Sequence, residues 1–582
     1  MSNNMKKLLL PVLLFLSSLG FAQTTEYAFV FFKDKPNKAS FYANPLSELT
    51  QKSLDRRNNL GIALNDTDAP LENTYVEDVR TTLGLTKVKS KSKWLNGVAV
   101  EITPAQKANL LAKPYVLKIE SFAKNTTILK QNKPLETKKK FDDEFIFDDK
   151  NFSSDVSAKI NAIQTTYNYG NADAQITQVN IKPLHINNYT GTGVAIAILD
   201  SGFPYVNTGK AYQSLFTGSR VKDVYNFISD NTDVYNTSLH PHGANVLGII
   251  GGYLNAPTAS PSTNRYYVGA APTADFYLYA TEDAYGNSGN DYPEEEMNFV
   301  MGLERADKMG VDIATASLGY QDFGDDRYDY AYTDMNGVKA FTSRACNFAV
   351  DKGIIVMIAQ GNNGASTTYK YLNTPADSPK VFSIGAVDST GASSTFTSYG
   401  PNANNVVKPD ASARGTSTYY PVSSYTSGTS AAVSFGNGTS YATPIATGGL
   451  ACILQALPKT TNRTHIKNKM RETASTYPTY DYLKGYGILN FNNALTAIST
   501  STLSTEEIKK IEIKIYPNPT KNSFNISTQD NIQNLELYDE SGRKIKDLPN
   551  SKTQNIDNLN SGIYYIKIKT NNTTQVEKII KE

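Results

Sequence analysis

Cysteine is scarce: Cys346 and Cys452 are the two in 582 residues. That excludes a disulfide-stapled scaffold. Both lie in apolar, helix-like stretches and read as buried thiols, with a single bridge left open for an exported protein. Excess charge is lacking as well. Lys and Arg total 57 against 55 Asp and Glu, a net +2. There is no basic stripe beyond one short run, so no nucleic-acid partner is expected. Past the N-terminus no segment reaches the roughly 18 uninterrupted apolar residues of a membrane span, and no transmembrane anchor is expected. Histidine occurs four times, at His185, His240, His242 and His465, which leaves few candidates for a base working near neutral pH.

What is present is organised in blocks. Lys6 and Lys7 precede an apolar run, Leu8 to Leu19, then Gly20-Phe21-Ala22. This is the pattern of an export signal over residues 1–22, removed after Ala22. Residues 24–124 alternate short strands and helices: a strand at Tyr27–Phe32, helices around 46–59 and 76–83, a strand at Val98–Ile102, a helix from Pro104 and a strand at Tyr115–Ile119. They predict a small α+β domain. Residues 125–154 carry Lys138-Lys139-Lys140, then Asp142-Asp143-Glu144 and Asp148-Asp149, which reads as an exposed charged linker.

Residues 155–498 keep a βαβα rhythm. Strands are expected at Val194–Leu199, Asp275–Tyr279, Asp312–Ser317, Ile354–Ala359 and Val381–Val387. Helices are expected after His242 and over 294–309, 337–352 and 439–457. The pattern predicts an α/β fold with a doubly wound parallel sheet, whose sites lie at the carboxyl ends of its strands. A polar linker, 499–510, precedes residues 511–582. There Ile511, Ile513 and Ile515 alternate, and Pro517-Asn518-Pro519 and Ser541-Gly542 mark turns, as in a small β-sandwich.

Three distant positions suit nucleophilic catalysis. Asp200 ends an apolar strand and is followed by Ser201-Gly202. A carboxylate there can fix one imidazole tautomer and stabilise the imidazolium. His242 opens His242-Gly243-Ala244-Asn245, small residues that suit a tightly packed helix. It is preferred over His240, which lacks the following glycine. Ser440 lies in Gly438-Thr439-Ser440-Tyr441-Ala442-Thr443-Pro444. A hydroxyl at a helix N-terminus gains from the positive end of the dipole, and Pro444 is expected in the first helical turn. The similar Gly428-Thr429-Ser430 is rejected because a Gly-rich loop, with no proline, follows it. Asn362, in Gln360-Gly361-Asn362-Asn363-Gly364, could donate its amide to an oxyanion beside the Ser440 N–H.

In the order Asp, His, Asn, Ser these residues resemble the subtilase family. The likeness covers about residues 168–495 and includes Lys408-Pro409-Asp410 and Gly485-Tyr486-Gly487. It implies a subtilisin-like fold and a secreted serine endopeptidase that cuts protein or peptide substrates through an acyl-enzyme, with Asp200, His242 and Ser440 as triad. It also implies substrate-binding segments at Ser317-Leu318-Gly319 and Ala359-Gln360-Gly361. Ala244, Tyr441 and Gln360 depart from the family's usual residues. No cofactor is required for such chemistry and no metal ligand is assigned. Calcium is common in the family, but acidic loops such as 321–329 read as solvated charge.

The flanking blocks carry resemblances of their own. Trp94-Leu95-Asn96-Gly97-Val98 is similar to the propeptides of Bacteroidetes subtilases, which implies that residues 24–124 inhibit the enzyme in the precursor. Ile515-Tyr516-Pro517-Asn518-Pro519, Leu559-Asn560-Ser561-Gly562-Ile563-Tyr564 and the closing Lys578-Ile579-Ile580-Lys581 resemble a type IX secretion sorting domain. That implies export by this machinery and a secreted or outer-membrane surface location. A second reading is a catalytically inert scaffold of the same fold serving as a surface binding protein.

Overall fold

The computed structural model describes residues 25–124, 140, 167–255, 266–427, 432–505, 513–528, 531–540, 543–570 and 574–582. The expected leader and most of the expected charged linker lie outside the described residues. The chain divides into two units, residues 1–497 and 498–582.

The N-terminal part of the first unit is an antiparallel sheet backed by helices. Its strands are β1 (Glu26–Phe32), β2 (Ser90–Ser92), β3 (Gly97–Ile102) and β4 (Val116–Ser121), in the order β2-β3-β1-β4. The helices are α1 (Gln51–Leu60), α2 (Asn73–Thr82) and α3 (Pro104–Leu111). Strand β1 is apolar on both faces. Ala28, Val30 and Phe32 join Val76, Val79 and Leu110 in this part's own core. Tyr27, Phe29 and Phe31 point the other way and share a core with Phe341, Ala345, Met297 and Val300 from the following part. An antiparallel sheet commonly leaves one face to water; here the second face is a packing surface.

The following part contains seven parallel strands: β5 (Ala195–Asp200), β6 (Val221–Asn226), β7 (Asp275–Ala280), β8 (Ile313–Ala316), β9 (Ile355–Ala359), β10 (Phe382–Val387) and β11 (Ala411–Arg414). Their order is β11-β10-β9-β8-β5-β7-β6. The chain leaves β5 towards one edge, then returns to build the other, so the winding reverses at β5. Helices α4 (His242–Gly251), α5 (Pro293–Met309), α6 (Phe341–Asp351), α7 (Thr439–Ala456), α8 (Arg463–Glu472) and α9 (Phe491–Thr505) complete this part. Ala195, Ala197 and Leu199 of β5 face the core shared with α5 and α6. By the two-residue alternation of a strand, Ile196, Ile198 and Asp200 face the other side. Helix α9 corrects one expectation: residues 499–505 of the expected linker are helical, because no breaker follows Phe491 and Ala494 on its buried face. Helix α6 begins at Phe341, later than expected.

The second unit holds two sheets. One orders β12 (Lys514–Tyr516), β13 (Ser523–Ser527) and β16 (Thr553–Asn555). The other orders β15 (Lys544–Leu548), β14 (Ile532–Asp539), β17 (Gly562–Thr570) and β18 (Thr574–Lys581). Phe524 and Ile526 from the first meet Leu535, Leu537, Ile566 and Ile568 from the second in one core, the sandwich expected. No helix among the described residues is long and apolar enough to cross a membrane.

A buried ion triad fastens the edge of the parallel sheet. Lys408 is fully buried and its Nζ donates to Val381 O and Asp410 Oδ2, both at 2.9 Å. Arg471 Nε donates to Asp410 Oδ1 at 2.7 Å. Burial disfavours the Asp410 carboxylate, but Arg471 and Lys408 outweigh it and draw its pKa down to about 2. Removing one member of such a group strands a buried charge. Asp410→Asn is expected to destabilise the chain by about 3–5 kcal/mol, measured by urea unfolding in an inactive Ser440→Ala background. Because the folded-state pKa is depressed, the Asp410 contribution is complete above its ordinary value of 3.8 and is lost as pH falls through about 2.

Candidate active site

The reversal at β5 places the ends of β5, β8 and β9 around one crevice. Asp200, at the end of β5, is fully buried. Its Oδ1 accepts from the Ser201 N–H at 2.8 Å and from His242 Nδ1 at 2.8 Å. A carboxylate on Nδ1 fixes the proton there and leaves Nε2 as the basic nitrogen. His242 is the first residue of α4, and every residue of that helix is buried. The glycine after it has a steric reason: a Cβ at Gly243 would lie 2.4 Å from Gly202 O and 2.9 Å from Asp200 Cβ. His240 sits beside Tyr285, and its Nδ1 accepts from the His242 N–H at 3.3 Å. Burial, with His242 adding to it, pushes its pKa down to about 4. His185 is held between the Tyr169 hydroxyl and Ala270 O.

Ser440 is in the first turn of α7 and is 8% exposed. Its Oγ donates to Ser317 O at 3.4 Å, and Ser317 Oγ donates to Ser440 O at 2.8 Å. The second bond corrects the expectation for Pro444. The helix starts at Thr439, so Pro444 lies inside it, and the Ser440 carbonyl loses its intrahelical N–H. The Ser317 hydroxyl supplies the replacement donor. Asn362 follows β9. Its Oδ1 accepts from both the Thr439 N–H and the Thr439 hydroxyl, each at 2.9 Å. Two donors on one oxygen fix the amide's orientation and leave Nδ2 as the donor end. The rejected Gly428-Thr429-Ser430 lies outside the described residues.

His242, Ser317, Leu318, Gly319, Ala359, Gly361, Asn362 and Ser440 line one cavity of about 980 Å³. Gln360 does not line it. It is fully buried, and strand alternation turns it away from the side that Ala359 and Gly361 present. This corrects its expected place in the substrate-binding wall. Tyr441 reaches the cavity, stacks on Tyr420 at 5.5 Å and sets its ring edge-on to His242 at 5.9 Å. Cys346 and Cys452 are free and buried, and burial raises the pKa of both thiols.

Lys140, Glu282 and Asp291 also line this cavity, and with Glu295 they form a group that the sequence reading missed. Glu282, Asp291 and Glu295 converge there on the Lys140 ammonium, at 2.9, 2.9 and 2.6 Å. Lys140 was expected on an exposed linker; its side chain is 9% exposed. These carboxylates form a group that could hold a metal ion, and in this structure the ammonium meets their charge. The available signal was the sequence Asp283–Asp291, rich in glycine and acid and followed by three glutamates.

Comparison with known proteins identifies the arrangement. Residues 191–487, half of the chain, match the subtilase family profile. The chain belongs to the subtilase family. It is a serine endopeptidase, and subtilisin-type chemistry needs no cofactor. Residues 27–140 of this subtilase match the Bacteroidota propeptide domain of the same peptidase family, and residues 514–582 match a secretion-system C-terminal sorting domain. The sorting domain marks the subtilase for type IX export to the cell surface or beyond. Subtilisin NAT of Bacillus subtilis subsp. natto is 28% identical over 319 residues, which are 55% of this chain and 70% of that protein. Subtilisin of Bacillus pumilus is 27% identical over 55% of this chain and 97% of its own. Among solved structures, fervidolysin from Fervidobacterium pennivorans shares the fold with a TM-score of 0.50 at 14% identity. The match covers 96% of this chain and 76% of that one.

The Ser317–Pro444 relationship gives a direct test. Ser317→Ala removes the only donor identified for the buried Ser440 carbonyl and is expected to cost about 1–3 kcal/mol. Pro444→Ala restores an N–H to the helix, so the double variant should recover most of that loss. A double-mutant cycle of thermal midpoints measures the coupling.

Proposed function

We propose that this subtilase cuts extended peptides with Ser440 as nucleophile, His242 as general base and acid, and Asp200 as the group that orients and stabilises the imidazolium. The observation that carries the reading is the 2.8 Å Asp200–His242 bond in the cavity that Ser440 also lines. His242 Nε2 takes the Ser440 proton as Oγ attacks the peptide carbonyl. The tetrahedral oxyanion accepts from Asn362 Nδ2 and from the Ser440 N–H, one of the first-turn amides with no intrahelical acceptor. His242 then gives its proton to the departing amine. Water repeats the sequence to release the acid. Substrate lies along Ser317–Gly319 and the Ala359 and Gly361 side of the opposite wall.

Residues 24–124 act as an inhibitory propeptide in this reading, 155–498 as the peptidase and 511–582 as the sorting domain. The apolar face of β1 and a set of buried ion pairs support the first assignment. Arg56 and Arg57 reach Asp307 at 2.5 and 2.8 Å, and Lys352 reaches Asp68 at 2.6 Å.

Ser440→Ala is expected to lower kcat on a peptide substrate by about 10⁶-fold, the size known for the same loss in subtilisin. It should also accumulate as uncut precursor after export. Asn362→Ala should cost about 10²–10³-fold in kcat with little change in KM, again the magnitude known for subtilisin. Equal turnover by the parent and Ser440→Ala would leave the inert binding scaffold as the better reading.

A further inference from the structure

The Lys140 pocket is built by the peptidase body rather than by the lysine. Glu282 follows β7, and the Tyr320 hydroxyl donates to its Oε1. Glu295 lies in the first turn of α5, where it caps the helix. Its Oε2 accepts from the Tyr292 N–H at 3.2 Å and its Oε1 from the Asp283 N–H at 2.8 Å. Both side chains are fully buried, and Asp291 is 12% exposed. Capping explains why Glu295 is present. It does not explain three carboxylates around one point. Such a concentration of negative charge away from water is costly without a cation. Burial accordingly raises Glu282 to about 7 and Glu295 well above its ordinary range, while the three carboxylates hold the Lys140 ammonium charged against its own burial.

The occupant comes from the part of the chain that a mature enzyme discards. The propeptide match ends at Lys140. The pocket opens on the same cavity as His242, Ser317 and Ser440. It lies at the end of β7, across β5 and β8 from the Ala359–Gly361 wall, so it serves a different substrate position from that wall. Glu295 Oε1 accepts from the Lys140 Nζ at 2.6 Å and Glu282 and Asp291 pair with the same ammonium at 2.9 Å, an arrangement around a point charge rather than the planar fork of a guanidinium.

We propose that Glu282, Asp291 and Glu295 form a subsite that selects a lysine side chain at one fixed position of the peptide substrate, and that Lys140 fills this subsite in the precursor. This rests on the reading of the cavity as a peptide-cleaving site. Loss of the propeptide leaves the carboxylates without their cation, and a substrate lysine restores the balance that Lys140 provided.

The test is a panel of peptides, identical except for Lys, Arg or Ala at each position in turn, hydrolysed by the enzyme after propeptide removal. At one position Lys should exceed Ala by at least about tenfold in kcat/KM, with Arg between them. Glu282→Gln with Glu295→Gln should bring the Lys-to-Ala ratio near one, while Ser440 still labels with a fluorophosphonate, which shows the site is folded. In the full-length chain, Lys140→Ala should shorten the lag before activity appears. Equal ratios at every position in an enzyme that cleaves the panel would overturn the subsite and leave the catalytic reading standing. So would a lysine preference that survives the double variant, or an unchanged lag. Calcium added to chelator-treated enzyme gives a further arm. If it raises the thermal midpoint only with Glu282 intact and abolishes the lysine preference, the pocket is a metal site and the proposal fails. Cleavage of no peptide at all would sink the catalytic reading and the subsite with it.

Discussion

The reversal of strand order at β5 is the constraint on which the site depends. A parallel sheet wound in one direction throughout would carry successive loops away from each other. Here β5 is flanked by β7 and β8, which are built on opposite arms of the winding. Their ends leave a crevice between them. The parity of β5 sets Asp200 on the face of Ile196 and Ile198, the side from which α4 brings His242. A glycine behind the histidine lets helix and strand end approach closely enough for the 2.8 Å bond. Helix α7 then delivers Ser440 with its dipole already aimed at the crevice, and the Ser317 hydroxyl repairs the carbonyl that Pro444 leaves without a partner.

The N-terminal part joins this framework through a sheet whose strand β1 is buried on both faces. Tyr27, Phe29 and Phe31 enter the core of α5 and α6, and the Arg56–Asp307, Arg57–Asp307 and Lys352–Asp68 pairs join the same two parts. The two parts share one core, and residues 1–497 form one compact unit. Surface left by removal of this part would be both apolar and charged. The lysine at the end of the propeptide match extends the same contact into the crevice itself.

Much of this was legible in the sequence. The parallel sheet followed from near-continuous apolar strands alternating with helices, because a strand covered on both faces has no polar alternation. Asp200, His242, Asn362 and Ser440 stood out because each falls at a strand end or helix start, where chemistry is exposed. Pro444 was misplaced because helix starts shift by several residues without visible cost when a side chain from another strand can replace a lost N–H. Gln360 was assigned to the wall because its neighbours belong there, although strand parity turns it away. The docking face of β1 was present as an unbroken run, Tyr27 to Phe32, whose second apolar face needed a partner. The Lys140 pocket was least visible. Lys140 is separated from the three acids by more than a hundred residues, and like charges in a row ordinarily mean solvent. Only folding shows that three acids surround one base.

In the proposed mechanism Asp200 holds the His242 imidazole at 2.8 Å so that it can take the Ser440 proton. The most direct measurement is fluorophosphonate labelling of the processed enzyme, with the modified residue located by peptide mass spectrometry and the rate followed against pH. One adduct at Ser440 is expected, at a rate that rises with deprotonation of a histidine and collapses in His242→Ala. An adduct at another serine, or a Ser440 rate indifferent to His242, would contradict it.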